Sequence, residues 1–190
     1  MQDIAPFFQW LEFYVSEEDE NSPFFDRKYS RTRYTQQIYN YLIHPQWDFF
    51  GSPTLFCKVL FADYKKQFIV IELFGEWNDA IHNDIMHFKR KVAEPFMESG
   101  IHKFALITEN VLNFHASDDS YYQEWQEEVM DTGGWLVALN VRDHLVQEMS
   151  QFRITDYLFL NNKAQQAHWR KVKPQQFSEY IEKEILSVRG

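Results

Sequence analysis

The chain has 190 residues, 45% of them hydrophobic and 18% aromatic, enough apolar side chain for a substantial core in one domain with an elaboration. Its net charge of −9 argues against nucleic acid and anionic membranes as partners, since both are held by clustered Lys and Arg. The single cysteine, Cys57, excludes an intramolecular disulfide and a multi-thiolate metal site, and fits a reducing compartment.

The acidic residues are unevenly spread. Asp3, Glu12, Glu17, Glu18, Asp19, Glu20 and Asp26 all precede the first Lys or Arg, and the rest of the chain carries only −2. There is no basic leader pattern, and no apolar stretch approaches the ~20 residues of a membrane-spanning helix, so a soluble cytoplasmic protein is expected.

In chain order, residues 6–15 predict a short helix with Phe7, Leu11 and Tyr14 or Val15 on one face, ended by the solvated acidic run 17–20. Residues 21–25 read as an irregular connector. Residues 1–36 are thus expected to form an acidic, aromatic extension packed on an α/β domain of residues 37–190. The rings of Tyr29, Tyr34, Tyr39, Tyr41, Trp47, Phe49 and Phe50 exceed what one strand can bury on one face. They are expected to pack under the N-terminal helix, with a homodimer through exposed members as the alternative.

Residues 38–43, 54–62 and 67–74 are rich in β-formers, and the last two are spaced for a hairpin. Ile81, Ile85, Phe88, Val92 and Phe96 then fall on one stripe of a helix over 79–94, which Pro95 should kink or end. A strand over 103–108 follows, then a helix carrying Tyr121, Trp125 and Val129, closed by Gly133-Gly134. A strand over 135–139, a short helix with Leu145, Val146 and Met149, and a last strand over 154–160 complete the alternation. The end, 174–188, predicts an amphipathic helix with Pro174 in its first turn and Phe177, Ile181, Ile185 and Val188 inward. The fold class is α/β: a mixed sheet of about five to six strands, antiparallel at its N-terminal side and parallel after it, with helices packed on the sheet.

Phe68-Ile-Val-Ile-Glu-Leu-Phe-Gly75, Lys103-Phe-Ala-Leu-Ile-Thr-Glu-Asn-Val111, Gly133-Gly-Trp-Leu-Val-Ala-Leu-Asn-Val141 and Phe152-Arg-Ile-Thr-Asp-Tyr-Leu158 occur in an order that resembles the sulfate-transporter and anti-sigma-factor-antagonist (STAS) domain, over residues 68–160. The resemblance implies a regulatory, protein-binding role. In such antagonists a loop serine ahead of the second helix, in an Asp-Ser-Ser-Gly-like context, accepts a phosphate from a partner kinase and so switches partner binding. Ser117 stands nearest that position, but in the context His115-Ala-Ser-Asp118, and the carboxylates of Asp118 and Asp119 would repel an added phosphate.

The parallel order brings three segments, 76–84, 109–120 and 140–144, to the sheet edge where open α/β folds bind ligands. They carry Glu76, Asp79, His82, Asp84, Glu109, His115, Asp118, Asp119, Asp143 and His144. One role for such residues is helix capping, by Asn78 or Asp79, by Ser117 or Asp118, and by Asn140 or Asp143, with capping-box spacing at 120–123. Another is a metal or small ligand, with His82 and Asp84, or His115 and Asp118 or Asp119, as candidates, though without a specific spacing such as His-Glu-x-x-His.

No nucleophile elbow, phosphate-binding glycine loop or dinucleotide fingerprint occurs in the sequence. Cys57 reads as a buried hydrophobe within a strand, and His44, His87, His102 and His168 as surface residues. The leading expectation is a non-enzymatic regulatory or interaction module without a cofactor. Its protein partner would meet the strand-to-helix loop 109–120 at Asn113, His115, Ser117, Asp118 and Asp119, helped by Trp77 and Tyr121. The alternatives are a metal-assisted hydrolase or small-ligand binder at the same edge, with His115 or His82 beside Asp118 or Asp84, and a structural homo-oligomer.

Overall fold

The computed structural model describes residues 2–30 and 32–188. Its centre is a sheet of four strands in the order β4-β5-β6-β7: β4 Leu55–Asp63, β5 Phe68–Asn78, β6 Lys103–His115 and β7 Trp135–Leu139. β4 and β5 are antiparallel, as the expected hairpin requires, whereas β5–β6 and β6–β7 are parallel. The mixed sheet is as the sequence predicts.

The central strands are apolar on both faces, which only a layer on each side can satisfy. On one face Leu55, Cys57, Ile69, Ile71, Phe104 and Leu106 meet Phe88, Val92, Trp125 and Met149 of the helices. On the other, Phe68, Val70, Ala105, Ile107 and Val137 meet Trp10, Trp169 and the C-terminal helix residues Phe177, Ile181 and Ile185. Cys57 is fully buried, and burial pushes its thiol up, as befits a packed side chain.

A second, three-stranded sheet packs Ile38, Ile43 and Trp47 on Phe56 and Phe74. It pairs β1 Gln2–Ile4 parallel to β3 Tyr41–Ile43, and β2 Gln37–Ile38 antiparallel to β3. The single strand expected over 38–43 is therefore a tight hairpin, turning at Tyr39 with φ 51°. No repeating pattern announced this turn, because Tyr39-Asn40 lacks the glycine usual at such a position.

Residues 6–15 form successive turns and no helix, with bonds such as Leu11 N–H to Phe8 O and Tyr14 N–H to Trp10 O. Trp10 is the buried anchor, while Leu11, expected inward, is exposed. Acidic residues beyond it are also less solvated than expected: Asp19 accepts the hydroxyls of Tyr14 and Tyr64, and Glu17 reaches Lys58.

The helical stretch after β5 comes in pieces. α1 Asp79–His82 ends at Asn83, whose φ of 51° turns the chain before α2 Asp84–Phe88. That turn rotates α1 away from the stripe, and Ile81, expected inward, is 76% exposed. Residues Lys89–Ala93 then widen into a π turn, Glu94 N–H reaching Lys89 O, so Pro95, which lacks an N–H, fits within α3 Glu94–Glu98. The fully buried Lys89 ammonium joins this helix to the next through Glu94, Glu124 and Glu128.

α4 Ser120–Asp131 buries Tyr122, Trp125 and Val129, leaving Tyr121 half-buried, and ends before Gly133, at φ 76°. α5 Asp143–Gln151 buries Leu145 and Met149. The last strand expected over 154–160 is a 3-10 turn, Ile154–Asp156, followed by one parallel bridge between Phe159 and Val137. With β7 only five residues long, little edge is left for a further strand. α6 Asn162–Gln165 and a turn at Trp169–Lys171 follow, neither foreseen in the sequence. α7 Pro174–Tyr180 begins with Pro174 as expected and runs on through a π turn at Ile181–Ile185. The inward position expected of Val188 lies outside the described side chains.

Candidate functional site

β7 pairs with β6 only over Lys103–Ile107, yet β5 and β6 remain paired as far as Asn78 and His115. The segment 109–120, expected as a loop, is thus strand as far as His115, and only residues 116–119 link it to α4. Its partner is the stretch beyond Gly75, where β5 was expected to stop. Gly75 (φ 119°) lets the chain pass: a Cβ there would lie 2.1 Å from the carbonyl oxygen of Thr54. Thr54 then holds the continuing strand from both sides, its carbonyl accepting Glu76 N–H at 2.9 Å and its hydroxyl donating to Glu76 O at 3.0 Å. Val111 and Phe114 turn inward from the overrun.

At its tip, register pairs Glu76 with Asn113 and Asn78 with His115. Asn113 Oδ1 accepts Phe114 N–H at 3.1 Å, and its amide Nδ2 lies 3.0 Å from His115 Nε2. Glu76 Oε1 lies 3.7 Å from the same Nε2 and accepts the Asn78 amide at 2.9 Å, while Oε2 accepts the hydroxyl of Tyr39. Burial raises the Glu76 pKa somewhat, but these two hydrogen bonds and the neighbouring imidazoles prevail and hold it below the ordinary carboxylate value. The same bond raises the Tyr39 hydroxyl. Tyr39 belongs to the small sheet and had no place in the predicted site.

Beneath this tip lie two buried carboxylates. Asp79 accepts from Trp77 Nε1 at 3.0 Å, Ile85 N–H at 2.8 Å and the Tyr122 hydroxyl at 2.6 Å. Burial pushes it up to about 6 against those hydrogen bonds. Asp84 accepts Asn78 N–H at 2.7 Å, and Asn78 Oδ1 caps α1 at Ile81 N–H, 2.9 Å. The capping expected of Asn78 is therefore present, and both aspartates tie the kinked helix start to β5. Asp84 is buried, and burial raises its pKa against the Asn78 N–H bond and the nearby His82 and His87.

Trp77, expected as a contact residue, is 0% exposed and stacks on Tyr122, ring centroids 6.1 Å apart. It is core, because the inward face of β5 continues past the Gly75 bulge. Ser117 and Asp118 are exposed, and Asp118 accepts both the N–H and hydroxyl of Ser120. Those bonds, with a smaller one from Ser117, hold Asp118 below the ordinary carboxylate value. Asp119 takes the N-cap position of α4 without a side-chain cap and faces Tyr157 and Arg153. Neither Asn140 nor Asp143 caps α5, whose N-cap is Arg142, and Gln123 bonds Glu127 in place of the expected capping box.

Other members of the predicted group part company. Glu109 turns to Arg170, Trp169 and Asn140, and His144 Nε2 lies 3.2 Å from Leu112 O. Among the described residues no three His, Cys, Asp or Glu side chains are placed to hold a metal ion. Of the histidines expected at the surface, His168 is exposed, but His44 sits half-buried between the rings of Phe8 and Tyr34, and His102 has a buried Nδ1.

No family model and no curated protein matches the chain. Solved structures with a partial likeness include the anti-sigma factor antagonist SpoIIAA in its unphosphorylated form, at 15% identity and TM-score 0.39, covering 50% of this chain and 81% of that one. The Bacillus cell fate determinant SpoIIAA in its phosphorylated form is 12% identical with TM-score 0.38, over 56% of this chain and 93% of the other. TM1081, solved by NMR, is 13% identical with TM-score 0.42, over 66% and 85%. No described helix is long and apolar enough to cross a membrane.

Proposed function

We propose that the protein is a non-enzymatic interaction module whose partner, another protein, docks on the overrun tip of β5 and β6. The observation that carries this reading is the exposure of two large apolar side chains beside a self-satisfied polar cluster: Ile81 at 76% and Tyr39 at 55%. Ile81 is capped by Asn78, the register partner of His115, and Tyr39 bonds Glu76, so both flank the Glu76–His115 pair. An exposed isoleucine rimmed by polar groups that already satisfy one another suits a protein contact, whose centre is apolar and whose rim is polar.

On this reading Asn113, His115, Ser117 and Asp118 form the rim, with Asp119 and Tyr121 at its flank. Ser117 is accessible, but its neighbour Asp118 already holds negative charge at the start of α4, so partner binding is set by surface shape and charge without a phosphate on Ser117. Affinity capture from an extract of the source cells tests the proposal. Proteins retained by the wild type are expected to be lost with Ile81→Glu or Asp118→Lys and kept with Ser117→Ala; equal recovery with all four baits would refute it.

A further inference from the structure

The acidic run that ends at Asp26 gives way to Arg27-Lys-Tyr-Ser-Arg-Thr-Arg33, four cations without a carboxylate, in a chain of net charge −9. From this stretch Lys28, Ser30 and Arg33 line, with Thr35, His44 and Trp47 among others, a cavity of about 270 Å³. It lies outside the region of family resemblance, residues 68–160.

Its walls are anchored before any ligand arrives. Tyr29 donates its hydroxyl to the buried Asp48, and the Lys58 ammonium lies 4.2 Å from the Tyr29 ring centroid. Ile43 N–H donates to Gln36 O at 3.0 Å, joining the two stretches directly. Trp47 is fixed by its Nε1 bond to Ile4 O, 2.7 Å, and by stacking on Phe74 at 5.3 Å.

The donors that remain are of one kind. Arg27 is paired with Asp48, but among the described residues neither Lys28 nor Arg33 makes an ion pair. Ser30 Oγ accepts the N–H groups of Thr32 and Arg33, at 3.3 and 2.9 Å, which leaves its own proton to donate. His44 Nδ1 accepts Gln46 N–H at 3.2 Å, which puts the ring proton on Nε2. With the Thr35 hydroxyl these make an ammonium, a guanidinium, two hydroxyls and an imidazole N–H around one space whose lining contains no carboxylate.

We propose that this cavity binds a small phosphate monoester, with Lys28 and Arg33 on the phosphate, Ser30, Thr35 and His44 as hydrogen-bond donors to it, and the Trp47 side against the organic part. A dianionic tetrahedral group uses that many donors where a single carboxylate does not, and the Arg fork matches its oxygens. The volume limits the organic part to a few carbon atoms.

Isothermal titration of the full chain with glycerol 3-phosphate, inorganic phosphate and glycerol tests the site. The wild type should bind glycerol 3-phosphate more tightly than inorganic phosphate and show no binding of glycerol. Lys28→Ala and Arg33→Ala, both at exposed positions, should each weaken binding roughly tenfold, the loss of one charge-assisted hydrogen bond, while Lys65→Ala on the β4–β5 turn should not. No binding of glycerol 3-phosphate at millimolar concentration would overturn the proposal. So would wild-type affinity in both the Lys28 and the Arg33 variant, and binding of inorganic phosphate alone would overturn the monoester assignment.

Discussion

His115 and Glu76 face each other across the parallel pairing of β5 and β6, Nε2 to Oε1 at 3.7 Å, on strands that have already outrun β7. The contact exists because Gly75 lets β5 continue where a side chain would collide with Thr54. The tip that this continuation builds carries both the polar cluster and the exposed Ile81.

Gly75→Ala should therefore remove the tip at its root. Both the positive φ and the 2.1 Å approach to Thr54 O oppose a Cβ, and relief requires a backbone shift. The expected loss is more than about 2 kcal/mol in urea unfolding. An unchanged midpoint would show that β5 passes Gly75 without strain-free glycine geometry being needed.

Trp77 and Ser117 separate core from surface at this edge. Trp77→Ala should cost about 3–5 kcal/mol, because it empties a fully buried site between Phe88, Phe114 and Tyr122. Ser117→Ala should change stability by no more than about 0.5 kcal/mol. Chemical denaturation of the two variants checks the pair, and comparable small effects would contradict the buried placement of Trp77.

Much of the fold was legible because its strands are apolar runs and its helices keep a stripe. β4, β7, α4, α5 and the start of α7 follow from such patterns. The overrun was not legible, because Asn110, Asn113 and His115 make residues 109–115 read as polar loop, and the partner strand that orders them lies beyond a glycine. The Ile81 error has a similar origin: a stripe counted at helical spacing assumes one unbroken helix, and Asn83 in the left-handed region rotates the phase. At the site, Glu76 and His115 could be placed at one edge from topology, but Tyr39 arrives from a separate sheet whose hairpin turn carries no sequence signal.

Glu72 gives the stability a pH dependence. It is buried on β5, accepting Phe7 N–H at 2.9 Å and the Asn110 amide at 3.2 Å. Burial, aided by the charge of Glu109, raises it from 4.5 to about 7 despite those bonds and Arg170. The folded state then favours the neutral acid, so the stabilisation is complete below about 4.5 and is lost as pH rises to about 7. Glu72→Gln, which stays neutral, should raise the urea midpoint at pH 8 and leave it nearly unchanged at pH 5. A gain of equal size at both pH values would rule out titration of Glu72 as its cause.

Lys58 and Asp48 hold the N-terminal stretch to β4 in a buried network, 3.6 Å apart, with Glu17, Arg27 and Tyr29 around them. Lys58→Met should cost about 3 kcal/mol by leaving Asp48 short of a partner. The double variant with Asp48→Asn should lose less than the sum of the single losses, and strict additivity in the mutant cycle would show the two groups to be uncoupled.

The central claim, that a partner protein docks on the β5–β6 tip, is tested most directly by hydrogen exchange of this chain with and without its captured partner. Amides of residues 76–82 and 113–120 are predicted to gain protection, while those of α7 at Pro174–Tyr180 exchange as before. Protection confined to α7 or to the cavity segment 28–36, with the tip unchanged, would contradict the account.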